Sequence, residues 1–284
     1  MYRIGTTSYI IPADILPNVE FLAGRVQDIQ LVLFETDGQG SNLPDAATRR
    51  RLLELKDQHS LTYTVHLPLD LRLGDGGSET DLSLAKARRV IDATRELTPF
   101  AYTAHLDGRA VMAAAPAPAA IAAWQETCRH ALAMVCGWLD DGARLCVENI
   151  ERWDPELLTP LIETLPISLT VDVGHLWLQG ADPVAHLRRW RTRTRVVHLH
   201  GIAERDHASL ACMPPEKLDP VVAFLRSAFA GVLTLEVFSQ TDLETSLAAL
   251  EASMRRGDGV LPSPRTPLQR ATGPSPADLR SSQA

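Results

Sequence analysis

The feature that most constrains this chain is an alternation. Eight short β-rich runs are separated by longer amphipathic or Ala/Leu/Arg-rich stretches. The runs are "YRIGTT" (2–7), "DIQLVLFE" (28–35), "LTYTVH" (61–66), "FAYTAH" (100–105), "ARLCVE" (143–148), "ISLTVD" (167–172), "RVVHLH" (195–200) and "VLTLEVF" (232–238). Between them, "DAATRRRLLELKDQH" (45–59) has an acidic start and a basic end, as the helix dipole favours. "DLSLAKARRVIDATREL" (81–97) sets Leu82, Ala85, Ala87, Val90, Ile91 and Leu97 near one face. Segments 116–141, 218–230 and 241–256 follow the same helical pattern, and Thr241 with Glu244 predicts a capping box. Eight such repeats within residues 1–256 predict an α/β chain folded as one (β/α)8 barrel, a single catalytic domain. A doubly wound open sheet is the competitor, but it calls for a Gly-rich phosphate loop, and "GTTSYIIPADI" has no GxGxxG. The Pro/Ser/Gly-rich segment 257–284 lacks periodicity and reads as a disordered tail.

Composition narrows the function classes. Net charge is −7, so no overall basic footprint for nucleic acid or membrane is present. No apolar run approaches the ~20 residues needed to span a bilayer. "MYRIGTTSYI" has no basic n-region or apolar h-region, which predicts a cytoplasmic protein. Cys128, Cys136, Cys146 and Cys212 have no CxxC or finger spacing and read as buried, reduced thiols.

Chemistry gathers at the strand ends. Six runs finish on or beside a residue able to bind metal: His66, His105, Glu148, Asp172, His198 and Glu236. A parallel barrel points all these ends at one mouth. Carboxylates crowded there would repel one another unless cations held them. His175 lies three after Asp172; His200 shares the inward face with His198 at period two; Asp206 and His207 follow in "GIAERDHASL". Glu35 ends "LVLFE" and reads either as a mouth residue or as a rim carboxylate paired with Arg. His130 and His186, within helices, and His59, at a helix end, read as solvated or capping. Imidazole plus carboxylate without thiolate suits Zn, Mn, Fe or Co, and the number of donors suggests two or three divalent ions. A site of that kind activates water and stabilises a leaving alkoxide.

Glu148 in "CVENI", Asp172 and His175 in "VDVGH", His198 in "VVHLH" and Glu236 in "TLEVF" resemble the xylose-isomerase-like TIM-barrel superfamily. That superfamily holds sugar isomerases and epimerases as well as the AP endonuclease family 2 enzymes such as endonuclease IV. His66 and His105 lean towards the endonuclease-type branch, where such histidines hold additional metals. The loop departs from that branch's Asp-x-His pattern: Arg205 stands where Asp is expected, and Asp206 is the nearby substitute.

The stretch "RIGTTSYIIPADILPNVEFLAGRVQDIQLVLFE", with "NLP" (42–44) and "VHLPLDLRLGD" (65–75), is more closely similar to the cobamide-remodelling phosphodiesterases (the CbiR family). The resemblance covers residues 2 to 240. It implies a cobamide substrate whose nucleotide-loop phosphodiester is cut to release the lower-ligand riboside. It implies that Glu148 bridges two metals also held by His66, His105, Asp172, His198 and Glu236, with His175 and His207 on a third cation or on the phosphate. It further implies that Glu148, Glu236 and His175 carry the chemistry. Thr6 and Tyr9 in the first loop and Asp70 and Arg72 in the third, with Glu35, His200 and Asp206, are expected to contact the corrinoid. Three alternatives stay open: a one-metal sugar isomerase or epimerase in which Glu148 and Glu236 move protons, a DNA-repair endonuclease, and a silent corrinoid-binding protein. Aromatic residues are only 5% and arginines cluster at 49–51, 88–89 and 188–195, so a nucleic-acid partner is not expected.

Overall fold

The computed structural model describes residues 2–36, 40–112 and 116–258. Eight strands form where the β-rich runs lie: β1 Arg3–Thr7, β2 Asp28–Val32, β3 Thr62–His66, β4 Tyr102–Ala104, β5 Leu145–Glu148, β6 Ser168–Asp172, β7 Thr194–Leu199 and β8 Val232–Leu235. They pair in parallel in chain order and close β8 onto β1, which excludes the open sheet. Helices cover the outside, burying rows such as Leu84, Ala87, Val90 and Ile91 against the strands. Inside, Ala101, Cys146 and Val196 form a small apolar floor. Polar residues sit with them: Asp28 accepts hydrogen bonds from the Thr62 and Thr64 hydroxyls, and Thr103 pairs with Thr170.

One irregularity positions the site. Leu169 pairs with Thr194 but Thr170 pairs with Val196, so β7 carries an extra residue at Arg195. The shift sets Asp172 opposite His198. Side chains level with one another on adjacent strands share a face, so both point to the barrel axis.

Several local expectations are corrected. β2 stops at Val32 instead of running to Glu35, because Asn42 takes over the groups at its end. The Asn42 amide donates to Val32 O and accepts from Phe34 N–H, and the chain turns out into a hairpin pairing Glu35–Thr36 with Gly40–Ser41. The third-repeat helix spans Gly77–Thr94, and Leu82 and Ala85 on it face solvent. Ser239, not Thr241, caps the last helix: its hydroxyl accepts from Asp242 N–H and donates to the Asp242 carboxylate. That helix, Gln240–Asp258, takes in the first two residues assigned to the tail, and 259–284 lie outside the described residues. Cys212 is exposed rather than buried. Among the described residues no helix is long and apolar enough to cross a membrane.

Candidate metal centre

The six strand-end residues meet at the C-terminal mouth, with Glu148 between two sets of donors. Its Oε2 lies 3.4 Å from His66 Nε2 and 3.2 Å from His105 Nε2. Its Oε1 lies 3.1 Å from His198 Nδ1, which is 3.0 Å from Glu236 Oε2 and 3.9 Å from Asp172 Oδ2. Two donors each about 2.1 Å from one cation stand about 3.0–3.4 Å apart, so most of these spacings are those of shared coordination. His66 Nε2, Glu148 Oε2, Asp172 Oδ2 and Glu236 Oε2 are buried there without a hydrogen bond. A divalent cation supplies what such orphaned donors lack, so the residues fit one. Three groups could hold ions: His66, His105 and Glu148; Glu148, Asp172, His198 and Glu236; and Asp172, His175, His200 and His207.

Local sequence explains how the rings are aimed. His66 Nδ1 lies 2.7 Å from Leu67 O, His175 Nδ1 3.0 Å from Asn149 O, and His200 Nδ1 3.1 Å from Gly201 O. Beside a carbonyl, Nδ1 carries a proton, which leaves Nε2 as the atom that each ring turns to the site. Asn149 also joins β5 to β6, accepting from Asp172 N–H and donating to Asp172 O, both at 2.9 Å. Asp172 in turn caps the helix Val173–Leu178, its Oδ1 accepting the His175 N–H at 2.7 Å. This turn brings the carboxylate and the imidazole of "VDVGH" to the same place. Gly174 is required there, since a Cβ would stand 2.1 Å from His200 Cε1.

The loop after β7 is closed at its neck by two hydrogen bonds between Gly201 and Ala208. His207 takes a left-handed φ of 54°. Neighbours in extended chain point to opposite sides, and this turn lets Asp206 and His207 both face inward. Asp206 Oδ2 lies 3.5 Å from His175 Nε2 and 3.4 Å from His207 Nδ1, while Arg205 turns away to Asp242 at 2.5 Å. Asp206 thus takes the inward position that Arg205 does not fill.

Electrostatics follow the geometry. Burial alone would raise the Glu148 carboxyl, but His198 and His105 outweigh it and hold its pKa well below the usual range. Glu236 is likewise buried and held low, by His198 and His207. Burial disfavours the charged rings, yet Glu148 and Glu236 raise His198 well above 6.5, and Asp172 raises His200 to about 9. The same contest, won by Glu148 for His105 and by Asp172 for His175, raises both.

The expected substrate contacts separate into two sets. Tyr9 and Asp206 line a cavity of about 420 Å³ above the donors, together with the expected ligand His207. Thr6 does not: it is fully buried and its hydroxyl donates to Leu235 O, fastening β1 to β8. His200 also has no exposed surface and lies beneath the mouth against Asp172 Oδ1, at 3.2 Å. Glu35 is paired with Arg89 at 2.9 Å, the rim-carboxylate alternative. Asp70 pairs with Lys86, and Arg72 with Asp75 and Glu79; both fasten their loop to the helix that follows. Among the helical histidines His130 is exposed, as expected. Residues without a signal in the sequence include Gln30 and Asn149, which hold candidate ligands, and Phe34, Leu69, Glu151 and Phe238, which line the cavity.

Fold and site together define a class, the (β/α)8 barrels that carry imidazole and carboxylate donors at their strand ends. Within it, the chain belongs to the family described as xylose isomerase-like TIM barrel, whose profile matches residues 26–256. Solved structures of similar fold include a D-tagatose 3-epimerase-like protein, with TM-score 0.72 and 16% identity over 90% of this chain and 98% of that one. Endonuclease IV from Thermus thermophilus superposes with TM-score 0.68 and 19% identity, over 89% and 99% of the two chains. An L-ribulose 3-epimerase gives TM-score 0.66 and 16% identity over 94% and 100%. No curated protein sequence matches the chain.

Proposed function

We propose that the protein is a metal-dependent phosphodiesterase that hydrolyses the nucleotide-loop phosphodiester of a cobamide and releases the lower-ligand riboside. Two or three divalent ions (Zn, Mn, Fe or Co) would serve it. The observation that carries this reading is the position of Glu148, one oxygen towards His66 and His105 and the other towards His198. A one-metal isomerase needs only the set Glu148, Asp172, His198 and Glu236, and leaves His66, His105 and the His175–Asp206–His207 cluster without a task. Cations held by all three groups would polarise the phosphoryl oxygens, activate water and take up charge on the leaving oxygen. The chain itself holds Glu148 and Glu236 ionised and orients His175 through Asn149, so that its Nε2 faces Asp206. Asp206 and His207 line the cavity.

The rim supports the substrate. Phe34, Leu69 and Phe238 are 39%, 55% and 44% exposed and surround the mouth, and Tyr9 packs on Phe34 with ring centres 5.5 Å apart. Asn42 organises this wall by donating to the Tyr9 hydroxyl oxygen while holding Val32 and Phe34. Such a collar suits a substrate whose phosphodiester enters the cavity while a broad apolar body, the corrin macrocycle, stays on the rim.

The test is incubation of metal-replete protein with adenosylcobalamin without oxygen, with products read by liquid chromatography and mass spectrometry. Release of the riboside with a matching truncated corrinoid, abolished in His105→Ala, is expected. An intact cobamide, with a single metal ion per chain, would instead favour the isomerase reading, and ketoses would then be the substrates to assay.

A further inference from the structure

We infer that Gln30 is a positioning residue of the metal centre, its side-chain amide fixing His198 in the tautomer that presents Nδ1 to a cation. The inference rests on the metal-centre reading above and concerns one ring within it. His66, His175 and His200 turn Nδ1 to a main-chain carbonyl and offer Nε2. His198 is reversed. Its Nδ1 faces Glu148 and Glu236, and its Nε2 points down into the barrel. Main-chain carbonyls there are committed to the strand ladders, so a side chain must hold the ring.

Gln30 is that side chain. It lies in the middle of β2, fully buried, with its amide nitrogen placed 2.7 Å from His198 Nε2 across the barrel. When Nδ1 gives its lone pair to a cation, the ring proton resides on Nε2 and needs an acceptor. Gln30 Oε1 is buried without a partner. A half-turn of the amide exchanges its oxygen and nitrogen, so that Nε2–H donates to Oε1 and both needs are met. Turned in this way, the amide accepts the hydrogen bond without adding another negative charge beneath Glu148, Asp172 and Glu236, all buried above it.

The test compares wild type, Gln30→Met and Gln30→Glu. Zinc affinity is measured by chelator competition, and His198 tautomer by long-range ¹H–¹⁵N correlation on zinc-loaded protein; thermal melting of the metal-free forms monitors the fold. The expected result is Nε2–H on His198 in the wild type. Gln30→Met should weaken one class of zinc site about 10–100-fold, and Gln30→Glu, which restores an acceptor, should recover most of that loss. Equal zinc affinity in Gln30→Met and wild type would overturn the inference. If Gln30→Met does not fold, Nδ1–H on His198 in zinc-loaded wild type would overturn it alone. Failure of the wild type to bind zinc would defeat the metal-centre reading instead, a separate outcome.

Discussion

Glu148 and His198 meet at 3.1 Å through only one carboxylate oxygen, Oε1, leaving Oε2 turned to His105 at 3.2 Å. A carboxylate divided in this way is the hinge of the site, because each oxygen serves a different set of donors. Replacing it with an amide keeps the shape and removes both the charge and one acceptor. Glu148→Gln is expected to lower phosphodiester turnover more than ~100-fold while the far-ultraviolet circular dichroism stays unchanged. Turnover within a few-fold of wild type would show that the two sets of donors are not coupled through Glu148.

The ring of His200 gives a pH signature. Burial opposes its charge, but Asp172 raises its pKa to about 9 from the ordinary 6.5. A raised pKa means that the folded, metal-free protein binds this proton more tightly than the unfolded chain. Its contribution to stability is therefore complete below pH 6.5 and is lost as pH rises through about 9. A cation must displace protons from such rings, so metal binding gains over the same interval. Melting curves with and without chelator are expected to diverge as pH rises, the metal-free Tm falling; parallel curves would contradict this.

Asp28 makes the opposite kind of claim, remote from the mouth. Burial raises its pKa to about 7 against the hydrogen bonds from Thr62 and Thr64. An acid raised in this way is best accommodated when protonated, so its contribution is present below about pH 4 and is lost as pH climbs through about 7. Every tenfold weakening of the acid corresponds to about 1.4 kcal/mol. Asp28→Asn is expected to raise Tm at pH 8 and leave it nearly unchanged at pH 4.5, as differential scanning fluorimetry would show. Equal effects at both values would mean that the carboxyl is ionised in the folded protein throughout.

On the proposed reading the apolar collar serves binding rather than chemistry. Phe238 stands at the rim with its ring centre 5.5 Å from that of His207, outside the three donor groups. Phe238→Ser is expected to raise KM for the cobamide about 10-fold, consistent with a loss of about 1–2 kcal/mol of apolar contact. Hydrolysis of bis-p-nitrophenyl phosphate, which has no macrocycle, should stay within two-fold of wild type. An equal loss on both substrates would place Phe238 in the chemistry rather than on the rim.

Much of this was legible in the sequence, for a geometric reason. Parallel strands in a barrel share one mouth, so residues as distant in sequence as His66 and Glu236 are brought together by their strand-end positions alone. Burial was less legible. Thr6 lies within the run 2–7, but nothing in the sequence shows that its hydroxyl is turned to Leu235 O, and the period-two placement of His200 is inward without showing that the ring is buried against Asp172. The unbroken apolar stretch 31–34 carries the predicted strand on to Glu35, and the stop at Val32 comes from Asn42, ten residues on from Val32. Gln30 left no trace at all, since its partner His198 is 168 residues away and no spacing rule reaches that far.

The central claim is that the mouth holds more than one cation. Elemental analysis of protein purified without chelator and desalted after loading with zinc or manganese tests it most directly, with His66→Ala beside the wild type. The account predicts at least two ions per wild-type chain and one fewer in the variant. A single ion per chain, unchanged in His66→Ala, would contradict it.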